Sequence, residues 1–288
     1  MSRKKVVNIT FFYLAVFVSS LALANDNFLL LDSLGLAGKP DTEPLGFFQV
    51  RPISTGSLWP KGGDLSEPNF PTIESAIKRY PNPLGIICLD IEHWSTSTSS
   101  EKELKESIRK YTSVADFVSD KFPEQKMGFY SMVPTREYNA IKNKNGKQLE
   151  KWYEQNEKLI PIAKSVDIIF PSIYAFYNDI ETWKAYAKEN IEQARKYGKK
   201  VIVFMWPQLH GSNKKEGYSF VNYEFWRIQL ETAYKYADGI ALWTPWGKHR
   251  TEFNPEAEWW KATLDFIAEH ELNKTYKEQE KPLPPTIQ

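Results

Sequence analysis

The chain has 288 residues, of which 42% are hydrophobic, 25% charged and 15% aromatic, with one cysteine and a formal net charge of +1. This length and apolar fraction suit one large globular domain or two small ones, and the balanced charge argues against an intrinsically disordered chain. With 37 Lys and Arg against 36 Asp and Glu, there is no overall excess of cations to neutralise a phosphate backbone. A nucleic-acid-binding protein is therefore disfavoured.

Aromatic residues are numerous, with 10 Trp, 15 Tyr and 17 Phe. Aromatic side chains mostly fill protein cores, but their faces also stack on the apolar faces of sugar rings. Composition leaves both uses open, so the positions of the rings along the chain must decide between them.

The first 24 residues have the organisation of an export signal. Three cations at 3–5 precede an apolar run over 9–23, which ends in an Ala-Leu-Ala sequence at 22–24. Cleavage after Ala24 would leave 34 cations against 36 acids, a net charge of −2. The single Cys88 cannot form an intramolecular disulfide, so core packing must hold the fold together. We therefore expect a periplasmic or secreted protein with no stable membrane insertion after cleavage.

Along the rest of the chain, short apolar or β-branched runs alternate with longer amphipathic segments, a pattern typical of βα units and a largely parallel sheet. Six strands are predicted, at 46–52, 84–91, 127–133, 167–174, 200–206 and 239–243. Six helices are predicted, at 72–80, 101–121, 148–164, 179–197, 223–236 and 255–271. One or two further strands are expected in the N-terminal part, where the apolar segment 28–36 shows no clear period.

The spacing of these repeats, about 30 to 40 residues, favours an α/β fold of the (β/α) TIM-barrel type with seven or eight strands. A doubly wound open sheet is the alternative, although the sequence has neither a Gly-x-Gly-x-x-Gly turn nor a phosphate loop. We expect one barrel domain over 25–272 and a polar, disordered tail over 273–288.

In a barrel of this kind, functional side chains come from the carboxyl ends of the strands. Five of the six predicted strand ends carry a Tyr or a Trp. The aromatic residues at these ends that we expect to bind substrate are Tyr130, Tyr174, Trp206, Trp243 and Trp246. Part of the aromatic surplus is thus concentrated where a barrel binds its ligand.

Two acids stand at the end of the second predicted strand. Asp90 and Glu92 are two residues apart, so in a continuing strand their side chains share one face, roughly 6 to 7 Å apart along the backbone. Two carboxylates this close in a partly buried mouth repel each other, so one pKa rises and that group stays protonated near neutral pH. A protonated carboxylic acid is the general acid that a glycosidic oxygen requires. The alternative role for these acids is a helix cap or an ion pair with a buried cation.

Other catalytic chemistries find little support in the sequence. The histidines His93, His210, His249 and His270 are scattered, and no His-x-x-x-His or Cys-x-x-Cys pair indicates a zinc site. No Gly-x-Ser-x-Gly elbow is present for a serine hydrolase. Cys88 lies inside an apolar strand and is expected to be an inert core residue. We therefore expect neither a metal nor another cofactor.

Four segments carry motifs of a known enzyme family. Segment 85–94 has an Asp-x-Glu pair followed two residues on by Trp, 128–138 has Gly-Phe-Tyr and then a Pro and a Tyr, 170–174 reads Phe-Pro-Ser-Ile-Tyr, and 239–243 reads Gly-Ile-Ala-Leu-Trp. In this order the motifs resemble strands of the animal and venom hyaluronidase family of glycoside hydrolases.

The resemblance implies that Glu92 is the general acid/base and that Asp90 holds the acetamido group of the substrate. In that family the acetamido oxygen attacks the anomeric carbon, so the enzyme supplies no nucleophile. The resemblance also implies aromatic partners for the sugar, which are Trp243 as a pocket wall, Tyr174 as a hydrogen-bonding group, and Tyr138 or Tyr130.

The chain departs from the family's pattern in three respects. It lacks the disulfide cysteines of the animal enzymes, and His93 stands where they usually carry another acid. Only the isolated Arg51, Arg136, Arg227 and Arg250 are candidates for a basic groove. Together with the charge of −2 after cleavage, this weakens the case for hyaluronan, a polyanion, as the substrate.

We therefore expect an exported glycoside hydrolase that cleaves an N-acetylhexosamine-containing polysaccharide by Glu92 acid/base catalysis with acetamido assistance. Two alternatives remain open. One is a non-catalytic barrel that binds glycans through the same aromatic residues. The other is a conventional two-carboxylate glycosidase with a nucleophile such as Glu137 or Asp179, which would face Glu92 at about 5 Å.

Overall fold

A computed structural model describes residues 28–82 and 84–273, and the paired strands within them are parallel. The strands are β1 (Leu29–Ser33), β2 (Phe47–Gln49), β3 (Ile53–Ser54), β4 (Ile86–Asp90), β5 (Lys126–Phe129), β6 (Ile168–Ile169), β7 (Lys200–Met205) and β8 (Gly239–Trp243). The predicted export signal at 1–24 lies outside these residues, as does the predicted tail apart from Asn273. No helix in the described part of the chain is long and apolar enough to cross a bilayer.

Helices follow most of the strands. They are α1 (Thr55–Leu58), α2 (Phe70–Arg79), α3 (Glu101–Lys121), α4 (Asn139–Lys142), α5 (Gly146–Lys158), α6 (Ile160–Ser165), α7 (Ile180–Arg195), α8 (Tyr223–Tyr236) and α9 (Glu258–Glu269). Two short 3-10 turns lie at Glu43–Leu45 and Gly247–His249.

The strands succeed one another around a (β/α) barrel, so the fold predicted from the repeat spacing is confirmed. One sheet has the order β2-β1-β8-β7-β6 and the other has the order β3-β4-β5. A bridge between Tyr130 and Phe170 joins the segments that follow β5 and β6. β2 and β3 belong to one stretch of chain interrupted before Ile53, where Pro52 has no N–H to donate to a strand ladder. The order of the strands shows no reversal of the kind that a doubly wound sheet requires.

Proline and local packing shift several predicted element boundaries. The segment 28–36, which had no clear period, contributes β1, and its strand is buried from Leu30 onward. The predicted strand 167–174 is regular only over β6, because Pro171 cannot donate to the ladder. The predicted helix 148–164 is divided into α5 and α6 near Leu159, because Pro161 stands at the start of α6 and disrupts a continuous helix.

Amphipathic helices cover the barrel, and side chains fill its interior. On α3 the side chains of Leu104, Tyr111, Val114 and Val118 recur at helical spacing on one face and are buried. The helix begins after Ser100, whose hydroxyl accepts a hydrogen bond from the Glu103 N–H at 3.4 Å. A second buried cluster lies between the strands and includes Leu31, Cys88, Phe170, Phe204 and Ala241. Cys88 is thus part of the core of the barrel, with its side chain buried.

A close approach between β5 and β6 requires a glycine at position 128. A Cβ atom on Gly128 would lie 2.2 Å from the carbonyl oxygen of Ile168 and 2.7 Å from a ring carbon of Phe170. We expect Gly128→Ala to reduce the free energy of unfolding by about 1–3 kcal/mol, because the two strands would have to separate. Thermal denaturation measures this effect. Gly146→Ala is the matched control, since a Cβ at Gly146 meets no atom within 4 Å and should leave the melting temperature unchanged or higher.

Candidate active site

A cavity of about 180 Å³ opens at the carboxyl ends of the strands, the end at which barrels carry functional side chains. Side chains from five βα segments and from the chain before β3 meet there. The residues that line it are Pro52, Asp90, Glu92, Tyr130, Arg136, Tyr174, Phe204, Trp206, His210 and Trp243.

The structure brings most of the sequence-predicted site residues together. Those that line the cavity are Asp90, Glu92, Tyr130, Tyr174, Trp206 and Trp243. Trp246 lies instead in an adjoining cleft. Tyr138 is not part of the lining; its ring is buried against Phe176 and Tyr186, with centroids 5.3 and 5.2 Å away. The expected contact between Tyr138 and a sugar therefore has no counterpart in the cavity.

Four lining residues were not predicted as site residues: the apolar Pro52 and Phe204, and the polar Arg136 and His210. Arg136 was noted only as an isolated cation, and the structure places it beside Glu92 and Tyr130. Within the described ranges, Arg136 has no carboxylate within ion-pair distance. His210 follows the end of β7 by five residues, where nothing in the sequence distinguished it from the other histidines. Proximity to a strand end was the available signal for both residues.

Asp90 and Glu92 form a carboxyl pair in the wall of the cavity. In the described part of the chain, no N–H or O–H group donates to the buried Oδ1 atom of Asp90. Burial raises the pKa of Asp90 to about 7, and the charge of Glu92 reinforces this rise. Two carboxylate anions this close repel each other, so the pair holds one proton up to about pH 7.

Two tyrosines face this pair as neutral hydrogen-bonding groups. Burial raises the pKa of Tyr130 to about 12, and burial also raises the pKa of Tyr174. The Tyr130 hydroxyl donates to Ser172 Oγ at 3.4 Å. The ring of Tyr174 stacks on Trp243, with centroids 5.7 Å apart and planes 19° apart. Trp206 meets Trp243 edge to face at 5.1 Å, so these three rings form a continuous aromatic wall.

Other aromatic residues hold the loops that carry the site. The Trp183 indole donates to the Ile173 carbonyl, and the Tyr186 hydroxyl donates to the Ser172 carbonyl, each at 2.9 Å. These bonds hold the two consecutive backbone carbonyls that directly precede Tyr174. Many of the aromatic residues therefore have a structural role, and some of them hold the backbone of the site in place by hydrogen bonds.

Tyr111 supports the loop after β4 in the same way. Its hydroxyl is buried and lies 2.6 Å from the Ile91 carbonyl and 3.1 Å from the Trp94 carbonyl. These two carbonyls lie before and after Glu92 in the sequence. We expect Tyr111→Phe to reduce the free energy of unfolding by about 1–3 kcal/mol, because the buried carbonyls lose their donor. Chemical denaturation measures the loss. Tyr223→Phe is the matched control, since its exposed hydroxyl bonds Asp265 on the surface and should contribute less.

The two acids considered as conventional nucleophiles have other partners. Glu137 accepts a hydrogen bond from the Ala140 N–H at 2.8 Å, and Asp179 caps α7 by accepting from the Thr182 N–H at 3.1 Å. Neither lines the cavity. The described residues also contain no group of three or more His, Cys, Asp or Glu side chains arranged to hold a metal ion.

Comparison with known proteins bears on the fold. No protein-family profile and no curated protein sequence matches the chain. Among solved structures, bee venom hyaluronidase matches with a TM-score of 0.56 and 13% sequence identity, over 86% of this chain and 100% of that chain. Bee venom hyaluronidase in complex with a hyaluronic acid tetramer matches with a TM-score of 0.55 and 13% identity, over 75% of this chain and 90% of that chain. At this level of identity the likeness is one of fold.

Proposed function

We propose that the protein is an exported glycoside hydrolase that cleaves an N-acetylhexosamine-containing polysaccharide with acetamido assistance. The observation that carries the proposal is the pair of carboxyl groups, Asp90 and Glu92, in an aromatic cavity at the strand ends. Aromatic faces suit the apolar faces of sugar rings, and a carboxyl group that keeps its proton near neutral pH suits glycosidic bond cleavage. The fold shared with bee venom hyaluronidase agrees with this proposal.

In the first step the one proton of the Asp90–Glu92 pair passes through Glu92 to the glycosidic oxygen, and the bond from that oxygen to the anomeric carbon breaks. The carbonyl oxygen of the substrate's own acetamido group forms the new bond to the anomeric carbon, while Asp90 holds the acetamido N–H. In the second step the Glu92 carboxylate removes a proton from water. The resulting hydroxyl attacks the anomeric carbon, and the acetamido group is released with overall retention of configuration.

The cavity walls support this division of roles. Tyr174 and Trp243 form a stacked pair beside Asp90, which suits the positioning of an acetamido-bearing ring. With Glu137 bonded to the Ala140 N–H and Asp179 engaged as the cap of α7, the substrate's own acetamido oxygen is the better candidate for the nucleophile.

The proposal is tested by incubating the purified mature protein with hyaluronan, chondroitin, chitin and peptidoglycan fragments, and measuring new reducing ends. We expect release from at least one of the four. Saturable binding without release would favour the non-catalytic glycan-binding barrel. Export is tested separately by fractionation of producing cells and N-terminal sequencing, for which we expect the mature chain to begin at Asn25.

A further inference from the structure

A second cleft, of about 470 Å³, adjoins the cavity. The two share Trp206, His210 and Trp243 as common walls. Beyond these walls the cleft is lined by the rings of Tyr218, Trp246 and His249, from the loops after β7 and β8. Tyr218 is 39% exposed and Trp246 is 40% exposed, so both rings are open to solvent at the cleft.

The Tyr218 ring is held in place by its surroundings. The residue has a φ of +68°, a left-handed conformation that is unfavourable for a side chain of this size. A Cβ atom on Gly211 would lie 2.4 Å from the Tyr218 hydroxyl, so the ring lies where only glycine leaves room. One face of the ring is covered by His249, with ring centroids 4.6 Å apart and planes 11° apart. The position of this exposed ring is therefore specified by packing.

Trp246 is held in a similar manner on the other side of the cleft. A Cβ atom on Gly35 would lie 2.9 Å from the Trp246 ring, so the indole packs directly on the backbone there. The guanidinium carbon of Arg51 lies 4.5 Å from the centroid of the indole. Two exposed aromatic rings are thus positioned at the end of a cleft that is continuous with the candidate active site.

From this geometry we infer that the cleft is a further sugar subsite, which holds a neutral pyranose ring of the chain whose reacting unit occupies the cavity. Among the side chains that the structure describes, the cleft lining includes no Asp, Glu, Lys or Arg, so its chemistry suits an uncharged ring that contacts aromatic side chains. This inference rests on the proposed function and adds that the substrate continues beyond the reacting bond along the β7 and β8 loops. Binding should accordingly strengthen with chain length.

The test uses β-1,4-linked N-acetylglucosamine oligomers as the probe, titrated into the folded full-length mature protein and followed by tryptophan fluorescence and calorimetry. We expect the hexamer to bind at least tenfold more tightly than the dimer. Tyr218→Ala and Trp246→Ala should each weaken hexamer binding by about fivefold to tenfold and leave dimer binding within twofold. Gly211→Ala keeps the Tyr218 ring but forces it to move, so it should produce the same length-dependent loss.

Tyr223→Ala is the control, because Tyr223 is similarly exposed but lies at the start of α8, outside both the cavity and the cleft. Equal binding of dimer and hexamer, or equal loss for both in the variants, would overturn the inference. Absence of binding to any oligomer would overturn it as well. Reducing-end release tests the proposed function independently. Tight, length-dependent binding without cleavage of any polysaccharide would overturn the proposed enzyme activity and keep the subsite. Polysaccharide cleavage that the cleft variants leave unaffected would overturn the subsite and keep the enzyme.

Discussion

Glu92→Gln is expected to reduce kcat on the cleaved polysaccharide by about 10²–10⁴-fold, because the glutamine amide cannot deliver a proton to the glycosidic oxygen. Binding should change little, since Gln has nearly the same shape as Glu and the aromatic walls are unaltered. Initial rates of reducing-end release, with oligosaccharide binding measured on the same preparation, separate the two effects.

Glu137→Gln and Asp179→Asn are matched controls for this experiment. Both acids act at helix starts outside the cavity, so we expect each variant to keep kcat within about threefold and to lose only some stability. A loss in Asp179→Asn or Glu137→Gln as large as that in Glu92→Gln would support the conventional two-carboxylate mechanism. Full activity of Glu92→Gln would overturn the assignment of the acid.

Asp90→Asn is expected to have opposite effects on stability and on activity. In the unfolded chain the pKa of Asp90 returns to about 3.8, whereas burial and Glu92 raise it to about 7 in the folded protein. Below pH 3.8 Asp90 is mostly protonated in both the folded and the unfolded chain, so its ionisation does not reduce the free energy of unfolding. As the pH rises from 4 to 7 the unfolded state loses the proton first, so the wild type becomes progressively less stable. Above pH 7 we expect the variant to be more stable than the wild type by about 1–4 kcal/mol.

Thermal denaturation of both proteins between pH 4 and pH 8.5 measures this difference. The stability of Asp90→Asn relative to the wild type should be only slightly higher at pH 4, and the difference should reach a plateau above pH 7. Glu252→Gln is a control from outside the cavity and should show no such rise. A stability difference between Asp90→Asn and wild type that does not depend on pH would contradict the raised pKa.

The activity of the same variant carries independent information. In the wild type, kcat/KM should fall as the pH rises through about 7, because the pair then loses its shared proton. In Asp90→Asn the group with the raised pKa is gone, so the alkaline limb of the pH profile should move. In addition, kcat should fall by about 10²-fold through loss of the acetamido contact. An unchanged pH profile with unchanged kcat would remove Asp90 from the mechanism.

Much of the fold was predictable from local pattern. The limits of α3 and α8 coincide with the predicted 101–121 and 223–236, because both helices have a continuous amphipathic period and an Asn or Ser cap. The division of the predicted helix 148–164 and the shortening of the predicted strand 167–174 follow from single prolines. β1 was missed as a resolved strand because a fully buried parallel strand has no alternation to detect.

The sequence by itself determined that the repeats are βα units and that Asp90, Glu92, Tyr130, Tyr174, Trp206 and Trp243 stand at strand ends. In a parallel barrel all such ends lie at one rim, so adjacency in space follows from position in each repeat. Tertiary structure alone decided that Arg136 and His210 join the cavity, that Tyr138 does not, and that Tyr218 and Trp246 line a second cleft. These residues lie on loops, whose paths depend on contacts with distant segments, such as Gly211 beneath Tyr218 and Gly35 beneath Trp246, and no local periodicity encodes such contacts.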